Sequence, residues 1–391
     1  MNVSVVGQGY VGLPLALALV QSGHSVSGID LDQSLIEKIN KGISPIGDIT
    51  NQEISQALQS KKYSVGSTFD VVASSEVVII CVPTPLDNAH KPDFSFLVAA
   101  AKSIAENLQA GSLIINESTV SPGTTRGLIK EILDKAEMDF DLAYSPERID
   151  PANKKWNVTN TPKLVAGITP KATDRAAAFY RTFVETVETG SSPEVIETAK
   201  LLENSFRLIN ISFINEIAQF CSALQIDVRE VVDAAATKPY GFMPFYPSAG
   251  VGGHCIPVDP SYLVAKAHEI GAPTSFIDLA NDLNRSLPTY FTGVAAGILD
   301  GLKNKKILVV GVAYKPGVSD VRETAVAGLI HELRSKGADV AWHDDLVKEW
   351  NGEKSVPLTP NYDLVVLANP HSGTDLSVLT SAKVLNTRGG Y

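Results

Sequence analysis

Three glycines near the N-terminus constrain the fold of this chain more than any other feature. Gly7, Gly9 and Gly12 follow a short apolar strand predicted at residues 3–6 and precede a helix predicted at residues 13–22. This spacing allows a tight turn and brings the backbone close to a pyrophosphate bound at the helix N-terminus. The order of strand, glycine turn and helix therefore predicts a parallel βαβ unit that binds a dinucleotide.

Asp30 supports this interpretation because it ends a second strand, predicted at residues 25–29. It follows the glycines by about 20 residues, the spacing at which a carboxylate accepts hydrogen bonds from ribose hydroxyls. No Lys or Arg precedes Lys38 to hold a 2′-phosphate, so NAD is favoured over NADP. A glycine turn needed only for packing is the alternative. The predicted NAD contacts of this segment are Gly7, Gly9, Tyr10, Val11, Gly12 and Asp30.

Strand and helix patterns alternate along most of the chain. Near-continuous apolar runs at residues 77–82 and 113–116 are typical of parallel strands covered on both faces, and a second alternating block begins near Lys306. We predict an α/β fold with two Rossmann-like doubly wound domains joined by a helical middle domain with one long helix. The predicted domain boundaries are 1–193, 194–300 and 301–391.

The long helix is predicted from the middle of the chain. Neither glycine nor proline occurs between Pro193 and Pro239, and apolar residues there recur every three or four positions. A helix of about 30 residues is well above the usual length, so we expect it to cross between domains. Its apolar residues lie on more than one face, which predicts that it also packs against a second subunit in a homodimer.

Composition argues against several function classes. The 391 residues carry a net charge of −10 with no basic block, which argues against a nucleic-acid partner. No apolar stretch reaches the ~20 residues that span a bilayer, and no signal peptide is expected. Cys81, Cys221 and Cys255 are sparse and far apart, which favours a reducing, cytoplasmic setting. The histidines show no metal-ligand spacing, so we expect no metal site.

Cys255 is the candidate nucleophile, because it lies just after Gly252 and Gly253 and four residues before Asp259. A thiolate adds to an aldehyde, loss of hydride converts the adduct to a thioester, and water releases a carboxylate. An ordinary thiol has a pKa near ~8.5, so Cys255 needs positive charge or hydrogen-bond donors nearby. Cys81 is expected instead to be a small buried side chain.

Lys200 and Asn204 are candidate partners of this thiol. They stand four residues apart on the long helix and therefore share one face. Lys200 is a candidate for the positive charge, and Asn204 for donation to a developing oxyanion. A lysine whose ammonium only reaches solvent is the alternative for Lys200.

Other candidates follow predicted strands, where open α/β sheets bind ligands. Thr84 is expected to line the nicotinamide pocket, and Thr119 lies at the end of the next strand. Glu147 lies in a loop whose backbone is restricted by prolines. The alternative is that Glu147 only pairs with Arg148 or with another nearby base.

Near the C-terminus, Lys315 follows a predicted strand at residues 306–310. Ser319 and Asp320 predict the cap of a helix at residues 324–335, and a helix start beside a lysine is suitable for a diphosphate. An ordinary capping turn is the alternative.

Taken in order, these motifs resemble the nucleotide-sugar 6-dehydrogenases of the UDP-glucose/GDP-mannose dehydrogenase family, and in particular their acetamido-sugar branch. The resemblance covers essentially the whole chain and rests on the run Gly7 to Gly12, Glu117-Ser118-Thr119-Val120, Pro146-Glu147-Arg148, Lys200 with Asn204, residues 252–259, and Tyr314-Lys315 with Arg322. It implies an NAD-binding first domain, a helical dimer-forming middle domain and a UDP-binding third domain. The implied activity is a twofold, NAD-dependent oxidation of the sugar C6 alcohol to a uronic acid.

The resemblance also implies roles for individual residues. Cys255 is the nucleophile, Lys200 and Asn204 stabilise oxyanions at C6, Asp259 is a water-linked acid or base, Glu147 assists thioester hydrolysis, and Thr119 positions a water. Arg322 reaches the cofactor, as Thr84 and Thr119 are expected to do. The expected substrate contacts are Glu147, Arg148, Lys200, Asn204, Phe245, Tyr246, Gly252 and Lys315.

The substrate expected from the resemblance is a UDP-N-acetylhexosamine. Ile149-Asp150-Pro151 favours UDP-N-acetylglucosamine, and UDP-N-acetylmannosamine and UDP-glucose are the alternatives. Two departures affect loops near the sugar: Ala152 stands where the branch has glycine, and Ser248-Ala249 stands where it has Gly-Pro. A single-hydride dehydrogenase of the hydroxyacid type and a non-catalytic binder of NAD and UDP-sugars are the rival functions.

Overall fold

The computed structural model describes residues 1–391 except 48, 88, 151, 152, 154, 380, 381, 390 and 391. The chain divides into two compact units. The first comprises Met1–Leu202 with Ser261–Gly271, and the second comprises Glu203–Pro260 with Ala272–Tyr391. The division into three domains ending at 193, 300 and 391 stays a prediction.

The first unit is built on one twisted sheet, whose described strands are β1 (Asn2–Val6), β2 (Ser25–Ile29), β3 (Tyr63–Gly66), β4 (Val77–Ile80), β5 (Ser112–Asn116), β6 (Phe140–Tyr144), β7 (Lys163–Gly167) and β8 (Val187–Thr189). Their order in the sheet is β3-β2-β1-β4-β5-β6-β7-β8. All neighbouring strands are parallel except β6 and β7, which are antiparallel. The chain thus crosses from one side of β1 to the other between β3 and β4, as in a doubly wound sheet.

Helices cover both faces of this sheet. The described α-helices that lie wholly in this unit are α1 (Gly12–Gln21), α2 (Gln33–Asn40), α3 (Asn51–Gln59), α4 (Ser95–Glu106), α5 (Lys130–Leu133) and α6 (Pro170–Tyr180). Alternate residues of one strand enter different cores: Ile79 packs with Val5 and Ile115, whereas Val78 and Ile80 pack on the opposite face. Both faces are therefore buried, which explains why the central strands read as continuous apolar runs.

Five further α-helices are described: α7 (Pro193–Leu224), α8 (Val228–Ala236), α9 (Asp259–Ile270), α10 (Ser275–Leu299) and α11 (Ala325–Ser335). The predicted long helix is confirmed as α7, with 32 residues. It begins in the first unit and continues into the second.

One apolar stripe of α7 is exposed. The exposed apolar residues of this helix are Val195, Leu202, Phe206, Phe213, Phe220 and Leu224. Its buried side carries Ile196, Leu201, Leu208, Ile214, Ala218 and Cys221, together with the polar residues Glu197, Lys200, Asn204, Ser205, Ser212 and Asn215. Hydrophobic periodicity gives the helix but not the side that faces the core, because both sides are apolar.

The second unit contains a smaller parallel sheet of the same plan. Its described strands are β9 (Lys306–Val310), β10 (Asp339–His343), β13 (Leu364–Leu367) and β14 (Val384–Asn386), in the order β10-β9-β13-β14; β11 (Glu349–Trp350) and β12 (Glu353–Lys354) form a separate antiparallel pair. In this sheet β9 comes first along the chain, and it lies where the strand order reverses, as β1 does in the first sheet. The predicted α/β fold with two Rossmann-like sheets is confirmed.

The helix that follows β9 begins later than its predicted cap. Thr324, not Ser319 or Asp320, is the N-cap residue of α11, and its hydroxyl accepts the N–H of Val326 at 3.3 Å. Asp320 pairs instead with Arg322, with its Oδ2 2.6 Å from the guanidinium Nη2. The cap prediction was wrong because the loop stays non-helical up to Thr324.

Candidate active site

The carboxyl edge of the first sheet brings several predicted residues together. Val6 is in register with Ile29 and Ile80, Ile80 with Asn116, and Asn116 with Tyr144. The residues that follow these strand ends therefore stand side by side: Gly7, Asp30, Cys81, Glu117 and Ser145. Thr84, Thr119 and Glu147 lie in the loops that continue from this edge, at the position where doubly wound sheets bind ligands.

The three glycines of the first loop have different structural reasons. A Cβ at Gly7, whose φ is +93°, would lie 2.4 Å from the carbonyl oxygen of Cys81, and a Cβ at Gly12 would lie 1.8 Å from that of Gly7. A Cβ at Gly9 meets no described atom within 4 Å. Gly7 and Gly12 are thus required by packing, whereas Gly9 leaves open space where a pyrophosphate approaches the backbone.

The helix start and Asp30 complete this nucleotide loop. Val11 is the N-cap residue of α1 and offers no side-chain acceptor to the helix N-terminus. Asp30 accepts the N–H of Gln8 at 2.7 Å and that of Asp32 at 3.0 Å, so its carboxylate lies against the glycine loop. Tyr10 is exposed beside it. This arrangement fits a dinucleotide, with diphosphate at the helix start and ribose at Asp30.

Tyr262, near the start of α9, contacts the loops that carry Thr84 and Thr119. Its hydroxyl donates to the carbonyl oxygen of Thr84 at 2.5 Å, and its own carbonyl accepts from the Ser121 hydroxyl at 3.3 Å. Its ring packs edge-on against Phe94. No local motif in the sequence marks Tyr262, because the residues that it contacts are distant in sequence.

Glu147 has a more specific environment than the sequence indicated. Its Oε1 accepts the N–H groups of Arg148 and Ile149, both at 2.7 Å, and its Oε2 lies 3.4 Å from Nζ of Lys163. The predicted alternative, a pairing with a nearby base, is thus realised with Lys163. Arg148 donates through Nη1 to the carbonyl oxygen of Pro162 at 2.7 Å.

In the second unit, Asn204 and Asp259 come together from two helices. The Nδ2 of Asn204 donates to Oδ2 of Asp259 at 2.6 Å, and both side chains are buried. The N–H of Asp259 donates to the carbonyl oxygen of Cys255 at 2.8 Å, which places the cysteine one turn before α9. The Cys255 residue is exposed. Lys200, one turn before Asn204 on α7, is buried.

The loop before Cys255 packs against the loop that carries Lys315. A Cβ at Gly253 would lie 2.9 Å from the ring of Tyr314, and one at Gly252 would lie 2.7 Å from the carbonyl oxygen of Glu323. The Lys315 ammonium stands 5.8 Å from the centroid of the same Tyr314 ring. Within this unit, the structure therefore brings together Gly252, the cysteine loop and Lys315.

The remaining predicted residues of this unit have contacts of their own. Arg322 forms a forked ion pair with Asp320. Phe245 packs edge-on against Phe206 of α7. The remaining aromatic residue, Tyr246, donates its hydroxyl to Asp233 of α8 at 2.6 Å and stacks with Arg229. The cofactor contact of Arg322 and the substrate contacts of Phe245 and Tyr246 stay predictions.

The atypical Ser248-Ala249 pair is built into a defined loop. The N–H of Ser248 donates to Oδ1 of Asn215 at 2.9 Å, and Ala249 is buried in the core of the second unit. The side chain of Asn284, on α10, accepts the N–H of Val251 at 2.7 Å. Ala152, the other departure, and Pro151 lie outside the described residues.

Comparison with known proteins extends over both units. The sequence matches the NAD binding domain of the UDP-glucose/GDP-mannose dehydrogenase family over residues 1–184, its central domain over 194–286 and its UDP binding domain over 308–384. The chain belongs to the UDP-glucose/GDP-mannose dehydrogenase family. It is therefore an NAD-dependent nucleotide-sugar dehydrogenase.

Individual members of the UDP-glucose/GDP-mannose dehydrogenase family are similar along nearly their whole length. A UDP-N-acetyl-D-glucosamine 6-dehydrogenase of Pseudomonas aeruginosa is 34% identical over 95% of this chain and 91% of the relative. A UDP-N-acetyl-D-mannosamine dehydrogenase of Pyrococcus horikoshii is 31% identical over 95% of this chain and 90% of the relative. The solved structure of a UDP-D-ManNAc dehydrogenase from Pyrococcus horikoshii superposes with a TM-score of 0.92 at 29% identity, covering 99% of this chain and 95% of that one.

Within the described residues, no group of three or more His, Cys, Asp or Glu side chains is arranged to hold a metal ion. No described helix of this family member is long and apolar enough to cross a bilayer.

Proposed function

We propose that the enzyme oxidises the C6 alcohol of a UDP-N-acetylhexosamine to the carboxylate through a thioester on Cys255. The observation that carries this proposal is the pairing of Asn204 with Asp259 one helical turn after an exposed Cys255. A dehydrogenase that removes a single hydride has no use for a thiol next to such a pair, whereas one that passes beyond the aldehyde does.

Bound NAD supplies the hydride acceptor, and two NAD are reduced for each sugar oxidised. In the first oxidation the C6 hydroxyl loses its proton and C6 loses hydride, which gives an aldehyde. Asp259, acting through a water, is proposed to accept that proton. Lys200 and Asn204 are proposed to stabilise negative charge on the C6 oxygen, the first as a cation and the second as an amide donor.

Cys255 is proposed to join the sugar after the first oxidation. Its thiolate forms a bond to C6 of the aldehyde, and the carbonyl oxygen becomes an oxyanion that the same two groups stabilise. Loss of a second hydride from C6 then leaves a thioester. The exposure of Cys255 supports this role, because a nucleophile must be reached by its substrate.

Hydrolysis of the thioester completes the reaction. The oxygen of water bonds to the thioester carbon, the C–S bond breaks, and the thiolate returns to Cys255 while the proton of water passes to a base. Thr119 is proposed to position this water and Glu147 to assist its attack. Both follow strands whose carboxyl ends lie at the same edge of the first sheet.

The substrate proposal rests on loop sequences and on relatives. Arg148, Phe245, Tyr246, Gly252 and Lys315 are the proposed contacts to the nucleotide sugar. UDP-N-acetylglucosamine is favoured by the Ile149-Asp150 sequence and by the relative from Pseudomonas aeruginosa. UDP-N-acetylmannosamine is the second candidate, because the superposable structure from Pyrococcus horikoshii is titled as a dehydrogenase for that sugar.

A substrate panel tests this proposal. The purified enzyme is mixed with NAD and, separately, with UDP-glucose, UDP-N-acetylglucosamine, UDP-N-acetylgalactosamine and UDP-N-acetylmannosamine, and NADH absorbance is followed. We expect kcat/KM to be highest for an acetamido sugar with a glucosamine or mannosamine configuration. Turnover of UDP-glucose alone would contradict the proposed substrate while leaving the chemistry intact.

We also propose that the active enzyme is a homodimer of a reducing, cytoplasmic compartment. The exposed apolar stripe of α7, which includes Leu202, Phe213 and Phe220, is the proposed contact with the second subunit. The proposed chemistry needs Cys255 as a thiol, and none of the three cysteines forms a disulfide in the described structure. A reducing compartment keeps them as thiols.

A further inference from the structure

A buried group of charges lies behind the loop of Glu147. The ammonium Nζ of Lys163 stands 2.9 Å from Oε2 of Glu117 and 3.4 Å from Oε2 of Glu147. The hydroxyl of Tyr180 donates to the other oxygen of Glu117, and the ring of Tyr180 lies 5.2 Å from the ammonium. The side chain of Glu117 is completely buried and that of Lys163 is 7% exposed.

The antiparallel direction of β7 creates this group. Tyr144 of β6 is in register with Ala166 of β7, so extending the pairing by three residues places Glu147 opposite Lys163. A parallel strand would have presented its carboxyl end here, whereas the antiparallel β7 presents its first residue. Lys163 therefore reaches the edge of the sheet that carries the nucleotide loop and Glu117.

The charges favour an ammonium at Lys163. Burial disfavours that charge, but the neighbouring carboxylates of Glu117 and Glu147 raise the pKa of Lys163. Burial raises the pKa of Glu117, while the ammonium opposes this effect. A buried charge held between two carboxylates is costly to remove, because the carboxylates would then lack a counter-ion.

Lys163 also determines how the Glu147 carboxylate can be used. A carboxylate accepts about four hydrogen bonds. Three acceptor positions of Glu147 are occupied, two by the N–H groups of Arg148 and Ile149 and one by Lys163. This fixes the plane of the carboxylate and leaves one position for a water.

We propose that Lys163 is a positioning residue for hydrolysis of the thioester, because it orients the Glu147 carboxylate toward the attacking water. In this proposal Lys163 acts through its contact with Glu147 and not directly on the sugar or the thioester. This inference rests on the proposed function, in which Glu147 assists that step. In that function Glu147 contacts the substrate but takes no part in the two hydride transfers, so the NADH burst at saturating sugar should not depend on Lys163.

The test separates oxidation from hydrolysis. The variants K163M, K163R, E147Q and K163M/E147Q are mixed with NAD and UDP-N-acetylglucosamine or UDP-N-acetylmannosamine, whichever the wild type turns over. Rapid absorbance measurements give the NADH burst, and acid quenching with intact-protein mass spectrometry gives the amount and decay of the covalent sugar adduct. K171M is the matched control, since Lys171 is an exposed lysine of the same unit that pairs with Asp141.

We expect K163M to keep the NADH burst while the adduct decays about 10- to 100-fold more slowly, as misplacement of a reacting group predicts. K163R, which keeps the charge, should recover most of the decay rate, and K171M should match the wild type. The double variant should decay no more slowly than E147Q, because both changes affect one interaction. K163Q replaces K163M in the same measurement if the methionine variant does not fold.

Three results overturn the role of Lys163. If the adduct decays at the wild-type rate in K163M but slowly in E147Q, Lys163 does not position Glu147, and the proposed function is unaffected. A burst slowed as strongly as the decay identifies a general structural role instead. If the wild type forms one NADH per sugar, and neither it nor E147Q forms an adduct, the proposed function is refuted. The role of Lys163 is then refuted as well.

Discussion

The side-chain amide of Asn204 donates to Oδ2 of Asp259 at 2.6 Å, and this contact joins two helices, α7 and α9. It fixes which oxygen of Asp259 accepts the amide, and with it the orientation of the carboxylate. Since the N–H of Asp259 also holds the carbonyl of Cys255, the orientation of the carboxylate and the position of the cysteine loop are linked.

Replacing Asp259 by Asn tests this relationship. The D259N side chain has almost the same shape but cannot take a proton, so kcat should fall by about 100-fold or more, as expected for loss of a general acid or base. NAD affinity, measured by fluorescence titration, should not change, because the residues that fit the dinucleotide are the glycine loop and Asp30. A kcat within twofold of wild type would exclude Asp259 from proton transfer.

The glycine loop gives a second prediction, in which folding and cofactor binding separate. G9A should fold with unchanged thermal stability, since its Cβ meets no described atom within 4 Å. It should nevertheless bind NAD at least about tenfold more weakly, because the methyl group occupies the space of the pyrophosphate. G7A should instead lose about 2 kcal/mol of folding free energy through strain and a clash with Cys81.

G127A is the matched control, because its Cβ also has open space within the first unit. Calorimetric titration with NAD and thermal unfolding should show wild-type behaviour for it. Wild-type NAD affinity in G9A would show that no phosphate approaches this glycine.

The sequence was informative where the physical signal is local. Parallel strands buried on both faces produce continuous apolar runs, and the ends predicted for the strands at residues 3–6, 77–82 and 306–310 lie within two residues of those observed. Likewise, α7 was predicted because its stretch contains no glycine or proline, the residues that most disfavour a helix.

Other features depend on contacts between distant segments and could not be read locally. Lys163 begins a strand that no pattern had predicted, and its pairing with Glu147 depends on the antiparallel register of that strand. The contact between Asn204 and Asp259 joins residues 55 positions apart. Both residues were predicted as site residues, but their hydrogen bond is seen only in the folded structure.

Asp344 provides a prediction about stability in the second unit. Its buried carboxylate accepts the N–H groups of Val312 and Val347, both at 2.9 Å, and Nε2 of His371 at 2.8 Å. Burial alone would raise its pKa, but the backbone donors, led by Val347, and His371 hold the pKa of Asp344 below its ordinary value. D344N should therefore cost about 3 kcal/mol of unfolding free energy at pH 7.

The pH dependence has a definite sign. A carboxyl whose pKa is lower in the folded state stabilises the fold above its unfolded pKa of about 3.9, and this stabilisation is lost as the pH falls through the folded value. The difference between wild type and D344N should thus shrink below about pH 4. An equal difference at pH 7 and below pH 3 would contradict this account of Asp344.

Tryptophan fluorescence can report this unit alone. Trp342 and Trp350 lie in the second unit, so a W156F background removes the remaining tryptophan of the chain. Urea unfolding in that background gives the free energy, with D282N as the matched control because Asp282 is an exposed residue of the same unit. D282N should unfold like the wild type at both pH values.

The exposed stripe of α7 predicts a homodimer that charge can separate. F213E/F220E places two carboxylates on this stripe and should shift the protein from dimer to monomer in analytical ultracentrifugation, because burying unpaired charges is costly. M138E is the control, since Met138 is an exposed apolar residue away from α7 in sequence. A wild-type enzyme that sediments as a monomer would contradict the proposed dimer.

The number of NADH formed per molecule of UDP-sugar tests the central claim most directly. With limiting sugar and excess NAD, the account predicts two NADH and one carboxylate per sugar for the wild type, and no carboxylate from C255S although it still binds NAD. One NADH per sugar, or full carboxylate formation by C255S, would contradict a thioester on Cys255.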